Sequence, residues 1–90
     1  MNTKNILLLG RRDQTEAMRV AAGLTIFGHT VNLVFMGRDV EDTPENRAQA
    51  ELLELSDIEP LSTLMDSDLP YVPPTALQVM CLEADAVLSI

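Results

Sequence analysis

One short turn of this chain carries residue types that could bind an anion. Its candidate ligand-binding residues are Gly10, Arg11, Arg12, Gln14 and Thr15. The two guanidinium groups supply positive charge, and the amide and hydroxyl side chains supply further hydrogen-bond donors. Because a helix is expected to begin within this turn, its first N–H groups and its dipole add to the attraction. The turn is therefore a candidate site for a small anion or a nucleotide.

The turn matches neither of the two common phosphate-binding fingerprints. It contains one glycine, so it is not the three-glycine turn of dinucleotide-binding folds. No Gly-Lys-Ser/Thr sequence follows, so it is not a P-loop. The alternative interpretation is that Arg11 and Arg12 are solvated, or that they pair with acids such as Asp39 and Glu41. In that case the turn only joins a strand to a helix.

Cys81 is the only cysteine, and it is the only candidate for a nucleophilic thiol. A reactive cysteine is exposed and lies near a cation or a helix N-terminus that favours its thiolate form. Cys81 has neither signal, since it falls in the second half of a predicted helix and shares a stripe with Leu77, Met80 and Ala84. We expect a buried, apolar cysteine that points inward.

The other reactive side chains do not form a catalytic or metal-binding set. His29 is the only histidine, and it opens a strand at the edge opposite the usual ligand side. One histidine and one cysteine cannot build a zinc-type site. The acidic stretch 38–45 lacks the spacing of a calcium loop, and no serine lies in a nucleophile elbow. We expect no metal, no cofactor and no complete catalytic constellation.

The composition indicates a small acidic protein with an excess of apolar residues. The 90-residue chain has 14 acidic and six basic residues, which gives a formal net charge of −8. This charge repels nucleic acids and anionic membranes, so neither is an expected partner. Hydrophobic residues make up 47% of the chain, more than so small a core is expected to use. We therefore expect self-association, from a dimer to a hexamer, or a protein partner.

Three further features favour a soluble cytoplasmic protein. A single cysteine excludes an internal disulfide and suits a reducing compartment. The apolar run from Ile6 to Gly10 is too short for a signal-peptide core, and its arginines follow rather than precede it. No apolar run approaches the roughly 20 residues that a membrane-spanning helix needs.

Apolar runs that alternate with amphipathic segments predict one α/β domain over residues 1–90. The predicted strands are Asn5–Leu9, Val31–Met36, a short strand within Glu59–Met65 that Pro60 weakens, and Asp85–Ile90. Strands that alternate with helices form parallel sheets through right-handed crossovers. The prediction is a three-layer α/β/α fold with a mostly parallel sheet of about four strands, in which the first two strands are adjacent and central.

Caps and apolar stripes define the three predicted helices. The predicted caps are Asp13 with Glu16, then Asp42 or Thr43, then Thr75 with Gln78. Gly28 is the predicted end of the first helix. The predicted apolar stripe of the second helix is Ala48, Leu52 and Leu55. That of the first helix is Ala17, Val20, Ala21, Leu24 and Phe27, widened by Met18, Ala22 and Ile26.

The opening stretch KNILLLGRRDQTEAMRVAAGLTIFGHTVNLVFMGRDV, residues 4–40, resembles the DsrE/DsrF-like family of small sulfur-relay proteins. The resemblance consists of a strand, a short polar turn, an alanine-rich helix ending in Gly-His, and a strand ending in glycine. The closing stretch LEADAVLSI, residues 82–90, is similar to the family's last helix and strand. The resemblance implies a compact domain with flavodoxin-like layering that forms oligomers, often trimers or paired trimers.

The resemblance also implies that some members carry sulfur as a cysteine persulfide. In those members the working cysteine lies in or near the loop after a middle strand, but the matching stretch 59–74 has no cysteine here. The sulfur-transfer role is therefore not carried over to Cys81. The expected function is a non-catalytic oligomeric or partner-binding subunit linked to sulfur metabolism. The alternatives are a persulfide carrier that uses Cys81, and an anion- or nucleotide-binding module at Gly10–Thr15.

Overall fold

A computed structural model describes residues 4–38 and 40–90 of the chain. The elements are β1 (Asn5–Gly10), α1 (Gln14–Ile26), β2 (Thr30–Phe35), α2 (Pro44–Leu55), β3 (Leu61–Ser62), α3 (Pro74–Glu83) and β4 (Ala86–Ser89). The four strands form one sheet in the order β3-β2-β1-β4, and all pairings are parallel. The predicted α/β fold is confirmed, including the central position of β1 and β2. The short strand considered within Glu59–Met65 is present, but only over Leu61 and Ser62.

The order of the strands decides which face of the sheet each helix covers. The crossovers from β1 to β2 and from β2 to β3 move in one direction, so right-handed connections place α1 and α2 on the same face. The crossover from β3 back to β4 runs the other way and places α3 on the opposite face. None of the helices in the described part of the chain has the length and apolar character that a membrane crossing requires.

The main core lies between the sheet and the α1–α2 layer. Leu8 of β1 and Phe35 of β2 pack there against Ala17 and Ala21 of α1 and against Leu53 of α2. The alanines leave room for the helix to lie close to the strands. On the opposite face, where α3 lies, the strands bury fewer side chains.

The buried face of α1 is narrower than predicted. Val20 and Leu24 are only partly buried, and Ile26 and Phe27 are exposed. The predicted residues that are buried are Ala17, Met18, Ala21 and Ala22. Thr15 lies on the side of α1 that faces α2, because its hydroxyl bonds Asn46 of α2. At 100° per residue, Leu24 lies on the opposite side of α1 from Thr15. The stripe that was expected to be buried therefore extends onto the side of α1 away from α2, where no second helix covers it in the described residues.

The predicted apolar stripe of α2 is wrong. Ala48, Leu52 and Leu55 are exposed, and the buried residues of the helix are Asn46 and Leu53. Asn46 can be buried because its amide donates to the carbonyl oxygen of Glu41 at 2.9 Å, and its side-chain oxygen accepts from the hydroxyl of Thr15. These partners come from other elements, so the periodicity of α2 alone does not show them.

Helices α1 and α2 end in the same backbone turn. Gly28 follows α1 with a φ of 89°, and Asp57 follows α2 with a φ of 59°. In each case the next N–H reaches back into the last turn, from His29 to the carbonyl of Leu24 at 3.2 Å and from Ile58 to that of Leu53 at 3.0 Å. The predicted stop at Gly28 is confirmed, and Asp57 plays the same role without being a glycine.

Two of the three predicted caps are confirmed. Asp13 accepts from the N–H of Glu16 at 3.0 Å, and Thr43 accepts from that of Asn46 at 3.1 Å. Only one of the two hydrogen bonds of the expected capping box at α1 is formed. The carboxylate of Glu16 binds Arg19 instead of the N–H of Asp13.

The cap predicted at Thr75 is wrong, and so is the capping box that Thr75 and Gln78 were expected to form. Helix α3 begins at Pro74, with Pro73 in the cap position and no side-chain cap hydrogen bond. Proline at the first helical position has its φ already set for a helix and loses no hydrogen bond there. The helix therefore starts before Thr75, which lies inside its first turn.

Candidate functional site

The turn after β1 is tied to the chain that follows β4. The N–H groups of Arg12 and Asp13 donate to the carbonyl oxygen of Ile90 at 2.8 and 3.3 Å. The N–H of Ile90 donates in turn to the carbonyl of Leu9 at 2.9 Å. The connection from β1 to β2 and the connection from β3 to β4 run in opposite directions across the sheet, so the direction of winding reverses between the neighbours β1 and β4. Open α/β folds bind ligands at such switch points.

Three of the five candidate ligand-binding residues are engaged in contacts within the protein, one by close packing and two by side-chain hydrogen bonds. A Cβ atom at Gly10 would lie 2.8 Å from Cδ1 of Phe35. The buried side chain of Gln14 donates to the carbonyl oxygen of Arg38 at 2.8 Å, and the hydroxyl of Thr15 donates to Asn46. These three residues position the turn on the sheet and on α2.

Arg11 and Arg12 remain exposed, as a ligand contact requires, and a third arginine joins them. Arg11 and Arg12 line a cleft of about 430 Å³ together with Asp13, Ser89 and Ile90. The guanidinium of Arg38, which follows β2, donates to the carbonyl oxygen of Arg12 at 2.5 Å. We call Arg11, Arg12 and Arg38 the arginine cluster.

The arginine cluster has no carboxylate partner within residues 4–38 and 40–90. The two ion pairs found there use the other arginines, Arg19 with Glu16 and Arg47 with Asp42. The ion pair considered between the turn and Glu41 is not formed, and Asp39 lies outside the described residues. In a chain of net charge −8, this cluster is a local concentration of positive charge.

Arg38 was not among the predicted site residues, although the sequence contains a signal for it. Both central strands run into a Gly-Arg pair, Gly10-Arg11 after β1 and Gly37-Arg38 after β2. Because adjacent parallel strands end at the same edge of the sheet, the repeated pair places arginines together.

The start of α1 offers an anion fewer backbone donors than the sequence suggests. The carboxylate of Asp13 occupies the N–H of Glu16, and the carbonyl of Ile90 occupies those of Arg12 and Asp13. An anion at this place would therefore be held mainly by guanidinium groups.

Cys81 is half-buried rather than buried. The stripe predicted for α3, comprising Leu77, Met80, Cys81 and Ala84, is its less exposed side, but no residue of the helix is fully buried. The predicted full burial of Cys81 is wrong. The reason is that α3 contacts the sheet mainly at β1 and, within the described residues, no second helix packs beside it.

His29 lies at the opposite end of the sheet from the arginine cluster. Its Nδ1 accepts a hydrogen bond from the N–H of Lys4 at 3.2 Å. That bond holds the start of β1 against the chain entering β2, which is a structural role.

A second candidate surface consists of β4, the edge strand next to β1, and the exposed side of α3, the helix that precedes it in the chain. Its apolar residues are Val79 and Leu82 of α3 and Val87 and Leu88 of β4, and all four are exposed. We call these four residues the β4–α3 surface. Val87 and Leu88 point to opposite faces of the sheet, as neighbours in a strand do. Edge strands are usually protected by charge or proline, and the sequence AVLS of β4 has neither.

No protein-family profile, curated protein or solved structure matches this chain. The arginine cluster and the β4–α3 surface are the two candidate sites described above. Neither surface brings a nucleophile together with a general base.

Proposed function

We propose that this protein is a non-catalytic DsrE-like subunit that associates with a second copy of itself through the β4–α3 surface. The observation that carries the proposal is the exposure of β4 on both faces, at Val87 and Leu88. Strands with apolar residues on both faces are typical of the buried interior of parallel sheets. The link to sulfur metabolism rests on the resemblance of residues 4–40 and 82–90 to the DsrE/DsrF-like family, and the lack of a cysteine in residues 59–74 favours binding over sulfur transfer.

The proposed contact is an edge-to-edge pairing of two β4 strands. Two identical edges related by a twofold axis meet antiparallel, and each presents the same residues to the other. The pairing would satisfy the outward N–H and C=O groups of β4 and extend the sheet across both copies. The same approach would cover Val87 on the α3 face and Leu88 on the α1 face.

Sedimentation velocity over a range of concentrations tests this proposal. We expect the wild-type chain to form dimers or larger species, and Leu88→Lys to shift the population to monomer by introducing a charge into the contact. Leu55→Lys is the matched control, since Leu55 is an exposed leucine on α2. A monomeric wild type, or equal association of both variants, would remove the proposal, provided circular dichroism shows both variants folded.

A second candidate function is the binding of a small anion or a nucleotide by the arginine cluster. The observation that favours it is the gathering of three exposed arginines, without a carboxylate partner in the described residues, at the switch point of the sheet. Guanidinium groups form paired hydrogen bonds with phosphate and carboxylate oxygens. The cleft of about 430 Å³ beside Arg11 and Arg12 has room for such a group.

Thermal unfolding with inorganic phosphate, pyrophosphate or ATP tests the second candidate. A ligand at a hundredfold excess over its Kd stabilises a fold by about 2.7 kcal/mol, which is readily measured as a rise in Tm. Arg12→Gln should abolish the rise, and Arg19→Gln, which removes a charge elsewhere on α1, should retain it. No rise with any of the three anions would exclude this function.

A further inference from the structure

A separate cleft of about 430 Å³ lies at the carboxyl ends of β2 and β3. Helix α2 forms one wall, and the loop of residues 66–69 after β3 forms the other. We call it the α2 cleft. Its volume is within the range of 300–1,000 Å³ that is common for small-molecule sites. It lies toward the opposite edge of the sheet from β4, so it is independent of the proposed association.

The floor of the α2 cleft is apolar. Met18, Phe35 and Leu53 line it, and they are core residues with 2% exposure or less. Ala50 and Leu69 continue this apolar lining along the two walls. The floor itself is closed to solvent, so the apolar area that a ligand could cover belongs to the walls, where Ala50 is exposed and Val40, Pro60 and Leu69 are half-buried. Displacing water from this area would stabilise a bound ligand in proportion to the area covered.

The rim of the α2 cleft is negatively charged. Glu41 and Asp42 lie on the α2 side, and Asp66 and Asp68 lie on the loop side. Among the described residues, Arg47 is the only cation in the lining, and its guanidinium is held by Asp42 at 2.6 Å. Three carboxylates therefore have no cationic partner within the described residues, and the electrostatic potential of the cleft favours a cation.

Hydrogen bonds hold the α2 wall in place before any ligand arrives. Asn46, 8% exposed, donates to the carbonyl of Glu41 and accepts from Thr15. The segment that carries Glu41 and Asp42 is thus fixed to both α1 and α2.

The opposite wall is fixed in a similar way. Ser62 of β3 donates from its N–H to the carbonyl of Pro70 at 2.9 Å, and its hydroxyl oxygen accepts from the N–H of Leu64 at 3.0 Å. Within the loop, the N–H of Leu69 donates to the hydroxyl oxygen of Ser67 at 3.2 Å. A site whose walls are already ordered loses less conformational entropy on binding.

We propose that the α2 cleft binds a small organic cation, an ammonium group attached to an alkyl or aryl body. The apolar body would lie between Ala50 and Leu69, on the accessible walls of the cleft, and the ammonium group would face the carboxylates of the rim. A bare metal ion is a poorer fit, because no three acidic, histidine or cysteine side chains converge to hold one in the described parts of the chain. An anion is excluded by the charge of the rim.

An NMR titration of the ¹⁵N-labelled protein with three probes of equal length tests this inference. The probes are n-hexylammonium, 1-hexanol and hexanoate. We expect saturable shifts with hexylammonium, confined to residues 40–50 and 60–69, with a Kd on the order of 1 mM. Hexanol should bind at least about fivefold more weakly, because it lacks the charge, and hexanoate should not bind.

Two matched pairs of variants locate the site. The double variant Asp66→Asn/Asp68→Asn should weaken hexylammonium binding about fivefold, and Glu51→Gln/Glu54→Gln, the same charge change on exposed residues of α2, should not. Ala50→Trp should fill the cleft and abolish binding. Ala48→Trp, on the same helix but outside the lining, should bind normally.

Two results would overturn the inference. One is equal affinity for hexylammonium and hexanol, which would show an apolar surface without charge selection. The other is the absence of saturable shifts, or shifts that Ala50→Trp leaves unchanged in a folded protein. Either result would leave the proposed self-association unaffected, since that is measured by sedimentation and depends on Leu88.

Discussion

Leu8 and Leu88 are register partners on neighbouring parallel strands, yet Leu8 is completely buried and Leu88 is 38% exposed. Both side chains point to the face of the sheet that α1 and α2 cover. Helix α1 lies over β1 and β2 and leaves β4 incompletely covered. The main reason to infer that a second copy completes the sheet is that β4 is an edge strand with exposed apolar residues, Val87 and Leu88.

The end of β1 depends on a glycine for packing. Gly10→Ala would place a Cβ 2.8 Å from Phe35 and 3.3 Å from the Cβ of Ala17, so either the ring or α1 must move. We expect a loss of about 1–3 kcal/mol in the free energy of unfolding, as for other overpacked cores. Gly23→Ala is the control, because it meets nothing within 4 Å and should gain about 0.5–1 kcal/mol in a helix interior. Urea denaturation measures both, and equal stability of the two variants would contradict this packing.

The turn after α2 stores backbone strain at Asp57. Its φ of 59° is unfavourable for a residue with a side chain. We expect Asp57→Gly to raise the free energy of unfolding by about 0.5–1 kcal/mol. Asp57→Ala should not raise it, because alanine keeps the steric cost. A stability of Asp57→Gly at or below that of the wild type would show that this turn is not strained.

The sequence was sufficient to predict the strands and the order of the elements. β1 and β2 are apolar runs that end in glycine, and their predicted bounds are correct within one residue. Buried faces were harder to predict when a polar residue was buried by partners from elsewhere. Asn46 is the clearest case, since its partners Thr15 and Glu41 lie in α1 and in the loop after β2.

The candidate sites show the same limit. Arg11 and Arg12 were predicted from one turn, but Arg38 joins them only because β1 and β2 are neighbours. The acids of the α2 cleft come from two loops about 25 residues apart, brought together by the pairing of β2 with β3. Such pairings are properties of the topology and are not visible in any local pattern.

The ion pair between Asp42 and Arg47 predicts a pH effect at the rim of the α2 cleft. A side-chain hydrogen bond from Arg47, with its positive charge, lowers the pKa of Asp42. A lowered folded pKa contributes stability above the usual aspartate pKa of about 3.9, and this contribution is lost as the pH falls through the folded value. We expect Arg47→Gln to raise the pKa of Asp42 in an NMR titration. An unchanged pKa would show that this exposed pair is not formed in solution.

The reactivity of the Cys81 thiol distinguishes a non-catalytic binding role from that of a persulfide carrier. Because its side chain is half-buried on α3, we expect it to react with a thiol reagent more slowly than free glutathione at the same pH. Reaction should accelerate in denaturant. A native rate equal to that of free glutathione would favour the carrier alternative instead.

The most direct test of the proposed function is hydrogen exchange at the backbone amides of β4, residues 86–89, as a function of protein concentration. Alternate amides of this strand point away from β1 and have no strand beside them within the described residues. We expect these outward amides to become protected as the concentration rises and β4 strands pair. Fast exchange of the outward amides at every concentration would contradict the pairing and, with it, the proposed self-association through β4.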